Sequence, residues 1–116
     1  MAGTWKETAI KNSAPGVFML KVNGDVLHYE NPGYKEWSDA KLDGTPAAIK
    51  GPDVPAGLTT WNKSQGPNKV ESAVLLNGKE LGRDVMTLSA DGKTITDVSW
   101  TPGKESEKQI YVYDKQ

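Results

Sequence analysis

The sequence predicts an all-β fold, an antiparallel up-and-down β-barrel of eight to ten strands, and three observations carry that expectation. Twelve glycines and seven prolines punctuate the 116 residues, mostly as turn-type pairs at short intervals, which leaves helices little room. The segments between them favour β-branched and aromatic residues, as in Ile110-Tyr111-Val112-Tyr113. Asn23-Gly24, Asn77-Gly78 and Asp91-Gly92 each stand between two such segments, and these pairs suit the positive φ angles of tight two-residue hairpin turns. Consecutive hairpins make a meander, and closing a meander into a barrel removes its exposed edges.

Ten strands are expected, over residues 4–10, 17–22, 26–31, 35–41, 46–50, 58–63, 69–76, 79–89, 93–100 and 108–114. In the first hairpin Leu20 is expected to face Leu27 and Phe18 to face Tyr29. Phe18, Leu20, Val22, Leu27 and Tyr29 then share one face, against Lys21, His28 and Glu30 on the other. Around Asn77-Gly78 the same arithmetic sets Val74 opposite Leu81 and Val70 opposite Val85, with Ser72 and Arg83 on that face. Around Asp91-Gly92, Leu88 is expected opposite Ile95 and Met86 opposite Asp97, while Val85, Val98 and Trp100 take the opposite face. The apolar parity therefore changes between Leu81 and Met86. A β-bulge near Gly82 to Asp84 reconciles the two registers. No repeat or composition shift marks a boundary, so residues 1–116 are expected to form a single domain.

Composition excludes several functions. There is no cysteine and one histidine, His28, which removes thiol chemistry, cysteine-based metal sites and histidine-rich metal centres. Fourteen basic against fifteen acidic residues give a net charge of -1, without the basic excess of a nucleic-acid footprint. The longest strongly apolar run, Val17-Phe18-Met19-Leu20, is far short of the ~20 residues that span a bilayer as a helix, so no membrane insertion is expected. No phosphate-cradling glycine loop, calcium-loop ligand set or nucleophile elbow occurs. No metal and no cofactor is expected.

Gly3-Thr4-Trp5-Lys6, Ala40-Lys41-Leu42-Asp43-Gly44, Asp91-Gly92-Lys93-Thr94-Ile95-Thr96 and Val112-Tyr113-Asp114-Lys115-Gln116 together resemble a family of small exported bacterial proteins. Those proteins, of acidobacterial type and unassigned function, are similar in the Gly-x-Trp that opens the first strand of lipocalin-like (calycin) barrels. The resemblance implies a lipocalin-like barrel and a periplasmic or secreted location, with the leader removed from this sequence. It brings no catalytic residues. Residues 58 to 86 depart from the pattern, since only Arg83 matches the family's basic pair before the Asp91-Gly92 hairpin.

Barrels of this strand number hold one small ligand or are packed solid with side chains. The first expectation is a small-molecule binding or carrier protein of the cell envelope, a monomer or weak homodimer. Its ligand should be modest and of mixed polarity, because one Phe and 36% hydrophobic residues cannot line a large greasy pocket and also build a core. The expected wall comprises Phe18, Tyr29 and either Trp37 or Trp61, with Asp97 or Arg83 as the polar group that orients the ligand. Asp97 stands out because an acid among inward apolar residues must find a partner or lie at a wet rim. Trp5 is expected to plug one barrel end, and at least two other tryptophans to serve as core. Two alternatives stand beside the carrier. One is a cofactor-free hydrolase or isomerase at the barrel mouth using His28 or a carboxylate pair, favoured by a pocket acid or histidine with a strongly displaced pKa. The other is an interaction module, favoured by a filled barrel with an exposed apolar patch.

Overall fold

The computed structural model describes residues 3–7 and 17–115, with side chains from Phe18 onward. The ten expected strands all form in order: β1 (Gly3–Glu7), β2 (Val17–Asn23), β3 (Val26–Asn31), β4 (Glu36–Lys41), β5 (Ala47–Ala48), β6 (Leu58–Gly66), β7 (Lys69–Leu76), β8 (Lys79–Leu88), β9 (Thr94–Trp100) and β10 (Gln109–Lys115). The one helical element among the described residues is a single 3₁₀ turn, Glu105–Glu107, so no helix there is long and apolar enough to cross a membrane. Residues 8–10, the Pro15-Gly16 turn, Gln116 and the Trp5 side chain expected as a plug lie outside what is described.

All strands belong to one antiparallel sheet of order β4-β3-β2-β1-β10-β9-β8-β7-β6-β5. Each neighbour follows the last in the chain except where β1 meets β10. The closed barrel expected from the sequence is not formed by continuous ladders. The sheet's end strands meet instead at two isolated bridges, Trp37 with Lys50 and Asp43 with Lys63. Trp37 and Lys50 exchange backbone hydrogen bonds of 2.9 and 2.8 Å, and Gly44 N–H reaches the Asn62 carbonyl at 2.9 Å. The physical reason lies in β5, which shrinks from the expected residues 46–50 to two. Pro46 and Pro52 flank it, and proline cannot donate to a ladder.

The hairpins correct the expected registers in instructive ways. The first turns at Gly24-Asp25, so Asn23 pairs with Val26 and Leu20 with Tyr29. Gly24 has φ 66°, and glycine at the first central position suits a type II′ turn. The slip is of two residues, which leaves every side chain on its expected face. The second turn is as expected, with Asn77 at φ 51° and Gly78 at φ 83° between paired Leu76 and Lys79. The third keeps its expected register, Leu88 with Ile95 and Met86 with Asp97. Its loop is wider than two residues, closed by Ser89 N–H to Thr94 O at 2.8 Å and Gly92 N–H to Ser89 O at 3.0 Å.

The expected bulge exists, one residue earlier than the segment named for it. Leu75 pairs with Glu80 and Val74 with Gly82, so Leu81 is the extra residue on β8. Beyond it Val70 faces Met86 and Ser72 faces Asp84, replacing the expected Val70–Val85 and Ser72–Arg83 matches. The inward face is apolar at one end, where Phe18, Leu20, Leu27, Met86 and Ile95 are buried together against Tyr29, Leu42, Leu88 and Tyr113. Phe18 packs edge-on against Tyr113, with ring centroids 4.6 Å apart.

Candidate functional site

Past Leu20, Leu27 and Met86 the inward face becomes polar, and there the sheet encloses a cavity of about 260 Å³. Alternation supplies its wall. Tyr29 comes from β3, Glu36 and Ser38 from β4, Thr60 and Asn62 from β6, Ser72 from β7, Asp84 from β8, and Asp97 and Ser99 from β9. Several of these polar groups are already partnered. Thr60 donates its hydroxyl hydrogen to the Ala73 carbonyl at 2.7 Å. Ser72 likewise donates to Oδ1 of Asn62 at 2.7 Å.

Asp84 pairs across the ladder with Ser99, and Asp97 with Met86, so the two acids are diagonal neighbours on one face, within reach of each other. Their carboxyls are hydrogen-bonded. Burial pushes both pKa values up, since a low-dielectric surrounding disfavours the charged form. Asp97 is carried to about 10 by burial first and then by the hydrogen bond and charge of Asp84. At neutral pH Asp97 therefore keeps a proton and Asp84 accepts it. Asp97 Oδ1 is fully buried and accepts no hydrogen bond from an N–H or hydroxyl donor of the described residues. Such an atom represents an uncompensated desolvation of about 1–3 kcal/mol.

The Tyr29 hydroxyl accepts a hydrogen bond from Asn31 Nδ2 at 3.3 Å. Its pKa is pushed up to about 12, by burial first, with Glu36, Asp84 and Asp97 adding their negative field. Tyr29 thus remains a neutral phenol with its proton available to donate. Among the described residues no three acidic or histidine side chains are arranged to hold a metal ion.

Of the six residues expected to bind a ligand, Tyr29 and Asp97 stand on this cavity wall. Phe18 is inward but packs in the apolar core, 6% exposed. Trp37, Trp61 and Arg83 stand outside the cavity, which corrects their expected place in its wall. Trp37 is 38% exposed. Arg83 lies over the Trp61 ring at 5.4 Å and donates through Nε and Nη2 to the Glu80 carboxylate, with Glu71 at 3.6 Å. The cause is the bulge. With Leu81 as the extra residue, Asp84 turns inward and Arg83 outward. Lys108 lies over the Trp100 ring at 4.8 Å, opposite in sense to the inward Ser99 next to it. The tryptophans expected as core are therefore only partly covered, beneath long cationic side chains.

Asp84 is the residue that sequence reasoning did not single out from the other carboxylates, although a signal existed. The correctly expected pairing of Met86 with Asp97 already puts residue 84 on the same face, two positions away. His28 lies away from the cavity. Its Nδ1 is 2.7 Å from Asp39 Oδ1 and its Nε2 is 3.3 Å from Glu30 Oε1. The Asp39 hydrogen bond is the largest cause that raises its pKa. Held between two carboxylates, the ring holds its proton more tightly than a free imidazole does. Compared with known proteins, the chain matches no family model and no curated protein.

Proposed function

We propose that this chain is a small-molecule binding protein whose meander closes, in the manner of a lipocalin-like barrel, around the cavity beside Asp84 and Asp97. One observation carries the reading: a buried, unpartnered Asp97 Oδ1 on the wall of a 260 Å³ space. That volume lies between the roughly 150 Å³ that takes up benzene and the roughly 300 Å³ at the lower end of drug-sized pockets. The ligand is then a compact molecule of one ring or a short branched chain. Long fatty acids and tetrapyrroles are too large.

The apolar contribution of Leu20, Leu27, Val74 and Met86 supplies affinity, and the polar groups fix orientation. By the same resemblance that suggests the barrel, the proposed setting is the bacterial periplasm or cell exterior. Amide NMR titration with small cationic, neutral and anionic ring compounds tests the reading. Shifts should concentrate at Tyr29, Ser72, Asp84, Asp97 and Ser99. If no compound of any charge moves these resonances, the binding reading fails.

The proton shared by Asp84 and Asp97 favours a second reading, general acid–base catalysis on a bound substrate, because two carboxyls with unequal proton affinity can give and take a proton in turn. Following the same titrations over time separates the two. A carrier returns its ligand unchanged, and an enzyme yields product resonances that Asp97→Asn abolishes.

A further inference from the structure

We propose that the cavity selects a small organic cation, an amine or amidine on a compact apolar body, over a neutral or anionic molecule of the same shape. The inference rests on the binding reading above and adds the ligand's charge class. Its basis is the composition of the wall. Three carboxyls, Glu36, Asp84 and Asp97, line the space, and among the described residues no lysine, arginine or histidine does. The nearest arginine in sequence, Arg83, is turned to the other face and engaged by Glu80 and Glu71. An anion entering the cavity would meet like charge with no counter-charge in a poorly solvated space.

A neutral donor could satisfy Asp97 Oδ1. Only a cation also compensates the ionisation of the pair. The exchange balances as follows: the ligand's N–H groups donate to carboxylate oxygens of Asp84 and Asp97, and the proton that Asp97 had held leaves to solvent. One cation binds and one proton departs, so the site holds two carboxylates against one positive charge. Charge-assisted, bidentate contacts of this kind are the strongest hydrogen bonds available to a carboxylate.

The other titratable groups facing the pair leave that exchange intact. Tyr29 on β3 keeps its proton up to about 12, and Glu36 on β4 adds negative potential. Tyr111 on β10 pairs with Asp97 in the ladder and donates its hydroxyl hydrogen to Gln109. From β6 and β7 the wall presents only uncharged groups, Thr60, Asn62, Ser72 and Val74. Among the described residues, every titratable group on the cavity wall is thus acidic or neutral.

Isothermal titration calorimetry with benzamidine, benzamide and benzoate, in two buffers of different ionisation enthalpy, tests this on the wild-type chain. Benzamidine should bind at least about tenfold tighter than benzamide, and benzoate weakest. Close to one proton should be released per benzamidine, so that Kd falls by up to about tenfold per pH unit between about pH 6 and 8. Asp97→Asn and Asp84→Asn should each abolish the proton release, whereas Arg83→Gln should leave it unchanged. Equal or tighter binding of benzamide or benzoate, or benzamidine binding without proton release, would overturn the inference while leaving the binding reading in place. No binding by any probe, together with unmoved cavity resonances, would overturn both. If the aspartate variants fail to fold, the wild-type measurements in two buffers still decide.

Discussion

A carboxyl such as Asp97, set opposite Met86 and hydrogen-bonded to Asp84, keeps its proton because burial disfavours its charged form. The consequence for stability follows from linkage. In the unfolded chain the group ionises near pH 4, whereas in the fold it does so at about 10. Between those values the folded state binds the extra proton, so the contribution to stability is full below about pH 4 and is lost progressively as pH rises toward 10. The slope reaches at most about 1.4 kcal/mol per pH unit. Asp97→Asn should remove this dependence and raise the melting midpoint more at about pH 8 than at about pH 4, as urea melts across that range will show. His28 has the same sign for a different reason, since partners raise it. Its contribution is present below its unfolded value of about 6.5 and lost as pH rises through the higher folded value. Asp39→Asn removes the closest partner and should lower the ring's pKa, read directly from the imidazole resonances in an NMR titration.

At the scale of strands and turns, the Asn77-Gly78 turn depends on backbone angles alone. A Cβ at Gly78 would meet nothing within 4 Å, but it would sit at φ +83°, where a β-branched side chain is strained. Gly78→Val should therefore destabilise by about 1–3 kcal/mol in a denaturant melt, with the cavity chemistry untouched. Local signals of this sort are what made the fold readable. All ten strands were announced by alternation and turn residues, and the Met86–Asp97 pairing came directly from the Asp91-Gly92 register. The site was less legible. A two-residue slip at Gly24-Asp25 cost nothing, because side-chain faces repeat every two residues. A one-residue difference at Leu81 exchanged Arg83 for Asp84, because parity reverses with each single step. Where a bulge falls is decided by packing on both sides of the strand. Hydrophobic alternation announces only that one is needed, and so Asp84 was not set on the inward face while its partner was.

For the molecule as a whole, the apolar inventory is concentrated at one end of the inward face. Ile95 and Leu20 are both 0% exposed, and they hold β9 and β2 together beneath Phe18 and Tyr113. Ile95→Ala should cost about 2–5 kcal/mol, read as a lower denaturation midpoint, since the surrounding sheet can collapse only partly into the space left. Composition foretold a small core, and the single Phe is indeed in it. It could not foretell that Trp61 and Trp100 would lie under Arg83 and Lys108 on the other face, because indole rings suit either surface when a long aliphatic stem covers them.

The junction of β1 with β10 has one further consequence. Every other ladder joins strands that are neighbours in the chain and can zip locally, giving two meanders, β1–β4 and β5–β10. The ladder between them has only three matched pairs, Trp5 with Lys115, Lys6 with Asp114 and Glu7 with Tyr113, and it closes a loop of roughly a hundred residues, the slowest kind of contact to find. With the two isolated bridges at the other end of the sheet, this seam is where long-range contacts between the two meanders are fewest. The cavity takes Tyr29, Glu36 and Ser38 from one meander and Asp84, Asp97 and Ser99 from the other. On the binding reading proposed above, a molecule held there would tie the two meanders together, so amide exchange along β1 and β10 should slow as occupancy rises.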